Sequence, residues 1–313
     1  MAWYRLILST AFLSLGMLLI SCSENPNRRS SESIYFNFKD TVRVDSLFNP
    51  EQDQPKSLKF AISAISSPRE TFDYYSQMFK YIEEQLGIKV IMIQRKTYQE
   101  VNDLMKQDKA DVAIVCSGNY VYGIADSAFK LLVIPEWKGQ SFYNTYIIAH
   151  KNSDIKSFND FKEKRFAFTD PLSTSGKLYP IKRLREQNSN PDEFFESIVY
   201  TYAHDNSIQL VAKQMVDGAS VNSLVYDYLA TSSPSRVKDI VIVEKSEPHA
   251  MPPVVVSHRL PKAMEEKLTK IFLSMHTDRG SQQVLEKLLV DRYTIGHDSV
   301  YNSVRIFAGI KAK

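Results

Sequence analysis

Apolar and polar positions along the chain follow two alternating periods, which predicts strands and helices in turn. Short apolar runs, such as LKFAIS at 58–63 and ADVAIVC at 110–116, are typical of buried strands. The segment SSPRETFDYYSQMFKYIEEQLG at 66–87 repeats apolar residues every three or four positions, as amphipathic helices do. Because this order of strand and helix continues to about residue 245, the sequence predicts an α/β protein.

The first helix has both of its ends marked in the sequence. Ser67 stands at the N-cap, Pro68 follows at N1 and Glu70 at N3, a combination that is typical of a helix start. Gly87 follows the last apolar position and is typical of a helix C-terminus. The apolar stripe between these ends consists of Phe72, Tyr75, Phe79, Ile82 and Leu86.

The alternation breaks at 151–154 and then restarts, which predicts two α/β lobes in series. The late apolar strand VVVSH at 254–258 has no sheet of its own nearby in the sequence, so we expect it to pair with the sheet of the first lobe. We therefore place the first lobe at 57–146 plus 250–313 and the second lobe at 147–249. The chain would cross between the lobes twice.

The N-terminal residues have the pattern of an export signal. Arg5 precedes an apolar run from Leu6 to Ile20, which is shorter than the ~20 residues that a membrane-spanning helix needs. The run ends in LISC, which resembles the bacterial lipobox, whose cysteine is lipidated and becomes the mature N-terminus. We therefore predict a signal peptide at 1–21 and a lipid anchor on Cys22. A noncleaved membrane anchor with an incidental cysteine is the alternative.

The remaining composition narrows the class of protein. Residues 22–56 start with the lipidated cysteine and form a polar tether with a short strand near 34–44. Beyond Cys22 the one thiol is Cys116, so we expect no intramolecular disulfide. Without Arg5, 38 of the 39 Lys and Arg residues balance 36 Asp and Glu residues, which argues against nucleic-acid binding. The six histidines form no His-x-x-x-His pair, so we expect no metal or other cofactor.

The stretch TDPLSTSGKLYP at 169–180 carries the most specific chemistry. It follows the apolar strand RFAF and precedes an amphipathic helix that we expect from about Ser175 to Gln187. Helix N-termini present free N–H groups and partial positive charge, hydroxyls add donors, and a glycine lets backbone approach a ligand closely. We interpret four residues as a site for a tetrahedral oxyanion: Ser173, Thr174, Ser175 and Gly176.

The same residues allow other interpretations of this stretch. In the simplest one, Ser173 caps the helix and the other hydroxyls face water. A nucleotide-binding P-loop is excluded, because Pro171 and Leu178 stand where that motif needs a glycine and a Ser or Thr. A hydrolase has no motif here, because no Gly-x-Ser-x-Gly sequence surrounds these serines.

Six segments of the chain resemble, in order and spacing, the phosphate, phosphite and phosphonate substrate-binding proteins of ABC importers. They are FAISAISSPRETF, GIKVIMIQRKTYQEV, ADVAIVCSGNYV, FTDPLSTSGKLYP, AHDNS and VNSLVYDYL, and the resemblance covers about 57–310. It implies a type 2 periplasmic-binding fold, with two α/β lobes, two crossing strands as a hinge and the ligand in the cleft. It also implies an ABC permease as partner and no enzymatic activity, and we expect a monomer.

Carried over residue by residue, the resemblance implies a binding site. It places residues 173–176 on the second lobe and Tyr98 on the first, with His204 and Asn222 also facing the cleft. Tyr120 and the turn at Ser66 and Ser67 are weaker matches.

The sequence departs from this family in two places. It has Asn222-Ser223 where the family usually has Asp-Ser, and Asn119 where a proline is usual. A carboxylate can only accept hydrogen bonds, whereas an amide can also donate them. From Asn222 we expect weaker discrimination for a protonated phosphorus oxyacid and poor binding of 2-aminoethylphosphonate.

The sequence therefore favours an exported, lipid-anchored binding protein, facing the periplasm or on the cell surface, that captures phosphite, phosphate or a phosphonate for an ABC importer. Three alternatives stay open: the same fold binding a sulfonate or small heterocycle, a sensor or surface lipoprotein, and an exported hydrolase. The hydrolase would use Ser175 or Cys116 as nucleophile. It is the least favoured, because no base is placed by motif beside either residue.

Overall fold

The computed structural model describes residues 57–311. The predicted signal peptide, Cys22 and the tether with its strand near 34–44 lie outside the described residues. Within 57–311, no helix combines the length and the apolar character that crossing a membrane requires.

Two α/β lobes make up the described residues, each built on one mixed sheet, as the sequence predicts. The strands within 57–311 are β1 (Ser57–Ile62), β2 (Lys89–Gln94), β3 (Val112–Ile114), β4 (Lys130–Glu136), β5 (Phe142–Tyr143), β6 (Thr145–His150), β7 (Arg165–Phe168), β8 (Ser197–Tyr200), β9 (Gly218–Asn222), β10 (Ile240–Lys245), β11 (His249–Ala250), β12 (Val254–Val256) and β13 (Arg292–Thr294). The α-helices of the same residues are α1 (Pro68–Leu86), α2 (Tyr98–Lys106), α3 (Ser117–Ala125), α4 (Tyr179–Glu186), α5 (Pro191–Phe194), α6 (His204–Ala212), α7 (Ser223–Ser232), α8 (Lys262–Ser274), α9 (Arg279–Lys287) and α10 (Asn302–Ala308).

The strand order places the ends of parallel strands where the two lobes meet. The first lobe's sheet has the order β13-β4-β12-β3-β1-β2, and the second lobe's sheet has the order β10-β6-β9-β7-β8. β1 pairs in parallel with β2 and β3, and β7 pairs in parallel with β8 and β9. The carboxyl ends of parallel strands form the edge at which open α/β sheets bind ligands.

The late strand β12 confirms that the chain returns to the first lobe, because β12 pairs antiparallel with both β3 and β4. The sequence analysis missed β13, which extends the same sheet beyond β4. Three residues are too few to show a strand period.

Two short strands, β5 and β11, carry the chain between the lobes and pair with each other. In this pairing His249 lies opposite Tyr143, and the two rings meet edge to face with centroids 4.1 Å apart. These strands correspond to the two crossing strands that the resemblance implies.

The last helix, α10, also joins the lobes and was not predicted. Its Val304 belongs to an apolar cluster of the first lobe, whereas its Phe307 belongs to a cluster of the second. The Arg185 guanidinium on α4 donates to the carbonyl groups of Ile306 and Phe307. Because α10 contacts both lobes, the lobe boundaries at 146 and 250 stay predictions.

Helix α1 runs from Pro68 to Leu86 and ends as predicted at Gly87, whose φ of 67° is the left-handed conformation that glycine tolerates. The predicted serine cap is wrong in one respect, since the Ser67 side chain accepts no hydrogen bond from the first turn. Its backbone N–H instead donates to Oδ1 of Asp205, across the cleft, at 2.8 Å. The start of α1 is therefore a contact between the lobes.

The second lobe has a core rich in phenylalanine. Phe166 on β7 is fully buried, and its ring centroid lies 5.1 Å from that of Phe161, 5.7 Å from Phe168 and 4.5 Å from Phe195. Aromatic pairs at these distances add to the stabilisation from apolar burial. This cluster supports β7, the strand that leads into the hydroxyl-rich loop.

Replacing Phe166 by alanine is expected to lower the free energy of unfolding by about 3–5 kcal/mol, because it leaves a cavity in this cluster. Urea denaturation of the chain from Ser23 to Lys313 measures the change. Met215→Ala is the control, since the Met215 side chain is 58% exposed, and a change within about 0.5 kcal/mol is expected there. Equal losses in the two variants would contradict the packing described.

Candidate ligand-binding site

The loop between β7 and α4, residues 169–178, is closed by its own hydrogen bonds. The Ser173 hydroxyl accepts the backbone N–H of Gly176 at 2.9 Å. The expected helix start at Ser175 is wrong, because Thr174–Leu178 form a π-helical turn and α4 begins only at Tyr179. Single π turns are frequent at functional sites.

Three hydroxyl residues of this loop are fully buried: Ser173, Thr174 and Ser175. Ser173 does cap the turn, as the simplest interpretation of the sequence proposed, but the other two hydroxyls do not face water. Within the described residues the Ser175 Oγ makes no hydrogen bond of normal geometry, although the Tyr143 hydroxyl lies close enough for Ser175 to influence its pKa. A buried polar group without a hydrogen bond lowers stability by about 1–3 kcal/mol. A ligand that supplies an acceptor for the Ser175 hydroxyl would therefore stabilise the loop.

Gly176 is required by the tight closure of the loop. A Cβ at this position would lie 2.4 Å from the Cβ and 2.6 Å from the Oγ1 of Thr169, and 2.8 Å from the Ser173 Oγ. Any side chain here would therefore push apart the two residues that position the hydroxyls. This is a packing role for glycine that adds to the backbone approach expected from the sequence.

His204, the first residue of α6, lies against the loop as a neutral donor. Burial lowers the pKa of His204 to about 3, so the ring is uncharged at neutral pH. Its Nδ1 accepts the backbone N–H of Asn222 at 3.2 Å, which places the ring proton on Nε2. That Nε2 lies 3.4 Å from the Ser173 Oγ. The imidazole can therefore donate toward the loop without bringing a positive charge.

Tyr98 contacts the loop from the first lobe. Thr97 caps α2, accepting the Glu100 N–H at 3.2 Å, and the Tyr98 N–H donates to Oδ2 of Asp170 at 3.1 Å. The Tyr98 hydroxyl is buried and has no hydrogen-bond partner among residues 57–311. Burial raises the pKa of Tyr98 well above its ordinary value, so this hydroxyl remains a donor.

The N-terminus of α3 meets the loop from the first lobe. A Cβ on Gly118 would lie 2.1 Å from the carbonyl oxygen of Leu172 and 2.9 Å from the backbone N of Thr174. Glycine at 118 therefore permits backbone-to-backbone contact between the lobes. Two segments with free N–H groups, the first turn of α3 and the π turn, converge at this contact.

Cys116, at the N-cap of α3, lies inside the same contact. Its thiol is 1% exposed and its Sγ is 3.9 Å from the Thr174 Oγ1. Burial raises the pKa of the Cys116 thiol, so the protonated, unreactive form dominates at neutral pH. Cys116 ends the apolar run at 110–116, which is typical of a buried strand, but nothing in the sequence connects it with the loop.

The structure places the other predicted site residues around or outside this group. Asn222 caps α7, since its Oδ1 accepts the Leu224 N–H at 2.8 Å, while its backbone binds His204. Half-buried Ser67 lies at the contact with Asp205. The Tyr120 hydroxyl is engaged away from the loop, because it donates to Oδ1 of Asp298 at 2.9 Å. The assignment of Tyr120 to the site stays a prediction, and this hydrogen bond argues against it.

Sequence reasoning missed the ionic contact that spans the lobes. The guanidinium of Arg236 in the second lobe donates to Glu70 on α1 at 2.9 Å and lies 3.5 Å from the Asp205 carboxylate. It also missed Asp170, the buried acceptor for Tyr98. Nothing local in the sequence indicated that Asp170 has a partner in the other lobe.

Comparison with known proteins identifies a family. The family model described as "ABC transporter, phosphonate, periplasmic substrate-binding protein" matches residues 60–301. The phosphonates-binding periplasmic protein of Escherichia coli K12 is 26% identical over 260 residues, which cover 80% of this chain and 76% of that protein.

Solved structures show the same fold. A binding protein component of an ABC phosphonate transporter from Pseudomonas aeruginosa superposes with a TM-score of 0.77 at 23% identity, covering 82% of this chain and 86% of its own. PhnD1 from Prochlorococcus marinus in complex with methylphosphonate gives a TM-score of 0.74 at 17% identity, covering 82% and 98%. The predicted type 2 periplasmic-binding fold is thereby confirmed.

The contact at Gly118 generates a test of the site's geometry. In the chain from Ser23 to Lys313, Cys116 is the single thiol, so its reaction with a thiol reagent reports access to the buried contact. Gly118→Ala is expected to raise the labelling rate about tenfold or more, because the added methyl group holds the loop away. The comparison is with the parent chain in native buffer.

Gly280→Ala is the matched control, since a Cβ at Gly280 meets only the Asp278 carboxylate, at 3.2 Å. It should leave labelling unchanged. Equal labelling of the parent chain and Gly118→Ala would contradict the close approach of the lobes at this point.

Proposed function

Because the chain belongs to the family of periplasmic substrate-binding proteins of ABC phosphonate transporters, we propose that it captures a small phosphorus oxyanion between its lobes and delivers it to an ABC permease. The candidate ligands are phosphite, phosphate and phosphonates. The proposal includes export and a lipid anchor on Cys22, which holds the protein at the membrane as a monomer. The anchor rests on the LISC sequence alone.

One observation carries the proposal of an oxyanion. Two hydroxyls from different lobes, those of Ser175 and Tyr98, are buried without a protein partner in the described residues. They lie where the π turn and α3 direct free N–H groups, and His204 adds a neutral donor. The one carboxylate of the loop, Asp170, is engaged by the backbone N–H groups of Tyr98 and Leu172. The groups left for a ligand are therefore mainly donors, which suits the acceptor oxygens of a small anion. The loop's lysine, Lys177, lies over the Tyr200 ring, 5.4 Å from its centroid.

Closure of the lobes would couple to the ligand through the contacts that span the cleft. The backbone N–H of His204 donates to the Ile65 carbonyl at 3.0 Å. Tyr98, Ser67 and Arg236 make the other contacts between the lobes that are described above. These bonds support the closed arrangement, whereas the unpaired hydroxyls oppose it until an anion is present. A ligand that satisfies them therefore favours closure.

The residues argue against covalent chemistry at this site. Ser175 has no base within hydrogen-bonding distance, and the Nδ1 of the neutral His204 is occupied by the Asn222 N–H. The Cys116 thiol is buried with a raised pKa. The function proposed is therefore binding and release, which agrees with the transport proteins that the chain resembles.

Replacing Ser175 by alanine is expected to weaken binding of a phosphorus oxyanion about 10- to 100-fold, because one hydrogen bond to a charged ligand is lost. The free energy of unfolding without ligand should stay the same or rise, since the hydroxyl has no protein partner. Isothermal titration of the phosphate-free chain from Ser23 to Lys313 with phosphite, phosphate and methylphosphonate measures the affinity.

Ser281→Ala in α9 is the matched control. Ser281 is equally buried, but its hydroxyl donates to the carbonyls of Met275 and Asp278, so this variant should lose about 1 kcal/mol of stability and no affinity. Sulfate and methanesulfonate complete the panel. No binding of any phosphorus oxyanion, or tighter binding of methanesulfonate, would contradict the proposal.

A further inference from the structure

A cavity of about 440 Å³ lies between the lobes, at the carboxyl ends of β1, β2 and β8. Its lining includes Arg95 and Lys96 of the first lobe and Tyr202 of the second. The hydroxyl-rich loop adjoins this lining, because β8 pairs with β7 and the Tyr202 N–H donates to the Thr169 carbonyl at 2.8 Å. The cavity and the loop are therefore neighbours in the cleft.

A row of cations and aromatic rings runs from this cavity to the loop. The Lys96 Nζ lies 4.4 Å from the centroid of the Tyr202 ring, across the cleft. The Tyr202 and Tyr200 rings have centroids 6.2 Å apart, and the Lys177 Nζ lies 5.4 Å from the Tyr200 centroid. Ring faces attract cations, so the two tyrosines hold lysines from both lobes beside the loop. We call Arg95, Lys96 and Lys177 the cationic rim.

Tyr202 is held in an unusual backbone conformation. Its φ of 55° lies in the left-handed region, which is unfavourable for a bulky residue. The hydrogen bond from its N–H to Thr169 helps to hold this conformation, in which the ring lies against Lys96. Strained residues of this kind persist where the surrounding structure fixes them, and they cluster at ligand-binding sites.

The cationic rim is not paired with acids. No carboxylate lines the cavity among residues 57–311, and within that range no rim cation forms an ion pair. Two carboxylates lie nearby in the sequence, and both are hydrogen-bonded to the backbone. Glu100 accepts the N–H and the hydroxyl of Thr97 at 2.8 Å and 2.9 Å. Asp170 accepts the N–H groups of Tyr98 and Leu172. Three cations thus outnumber two carboxylates that are already engaged.

The hydroxyl site itself brings no positive charge to the ligand. Burial lowers the pKa of His204 to about 3, so its ring is neutral, and the Lys177 ammonium lies over the Tyr200 ring. Hydrogen bonds act only at contact, whereas charges act over about 8–10 Å at physiological salt. Long-range attraction and short-range recognition of an anion therefore come from different residues.

We propose that Arg95, Lys96 and Lys177 form an outer capture site for small oxyanions, which attracts phosphate, phosphite or a phosphonate before the anion reaches the hydroxyls of the loop. The inference rests on the proposed function, because it assumes that the anion finally lies at residues 173–176. The outer site governs the association rate constant, and the hydroxyl site governs the dissociation rate constant. Cations that line a cleft raise the association rate of an anion about tenfold or more, and salt weakens the effect.

The sharpest test separates the two rate constants. Stopped-flow fluorescence of the chain from Ser23 to Lys313 with phosphate and with methylphosphonate measures association and dissociation, and titration calorimetry measures Kd. At about 10 mM salt, Arg95→Gln combined with Lys177→Gln is expected to lower the association rate constant about tenfold and to change the dissociation rate constant less than about twofold. At about 0.5 M salt the parent chain and this variant should associate at similar rates.

Two controls tie the effect to charge at this place. Lys267→Gln combined with Lys270→Gln removes the same charge from exposed positions of α8, and it should leave both rate constants unchanged. Arg95→Lys combined with Lys177→Arg keeps the charge and changes the shape of the side chains. It should associate as fast as the parent chain, whereas a role in packing would not survive this exchange.

The outcomes separate this inference from the proposed function. If phosphate or methylphosphonate binds but the rim variant associates as fast as the parent chain, or the α8 control slows association equally, the inference is overturned and the function stands. If the rim variant only dissociates faster, the cations hold the bound anion instead of capturing it, and the inference is again overturned. If no phosphorus oxyanion binds the parent chain, the proposed function fails and the inference fails with it.

Discussion

The structure depends on one constraint: hydrogen-bond donors that are buried between the lobes must find acceptors. The loop at 169–178 and the start of α3 bring backbone N–H groups and hydroxyls together, and the hydroxyls of Ser175 and Tyr98 are left without partners. An anion with several oxygens meets this need better than any side chain in the vicinity. Burial gives each such bond more weight than it would have in water, because the unpaired alternative is costly.

In the function proposed, the same constraint makes lobe closure depend on the ligand. Contacts across the cleft, such as the Arg236–Glu70 pair and the bond from Tyr98 to Asp170, hold the lobes together at a partly exposed rim and at a buried centre. Partly exposed ion pairs contribute modestly. In the function proposed, an anion that binds the closed form more tightly than the open form shifts the equilibrium toward closure. Glycine at 118 makes the closed form sterically accessible.

Local signals accounted for most of the elements and for the position of the hydroxyl-rich loop. The glycine after α1 and the run of hydroxyls at 173–175 each lie within a few residues of the structure that they specify, so the sequence predicted them. The Arg236–Glu70 pair joins residues 166 positions apart, and no local period encodes such a contact. A π turn stands where we expected the helix to start. The hydrogen bond from the Gly176 N–H to the Ser173 hydroxyl closes the loop and competes with regular helical hydrogen bonds.

Specificity was less accessible to sequence reasoning for the same physical reason. Asn222 could be recognised as a departure from a carboxylate, but the occupation of its oxygen by the Leu224 N–H appears only in the folded chain. Likewise, the ion pair between Asp205 and Arg236 is formed only in the folded chain. Both effects depend on which atoms are already engaged, which is a property of the tertiary structure.

The most direct test of the central claim is a crystal structure of the chain from Ser23 to Lys313 with methylphosphonate bound. The account predicts the phosphorus between the lobes, with phosphonate oxygens within hydrogen-bonding distance of the Ser175 and Tyr98 hydroxyls and of the N–H groups of the π turn. Methylphosphonate bound elsewhere, with these two hydroxyls still unpaired or bonded to protein groups, would contradict it.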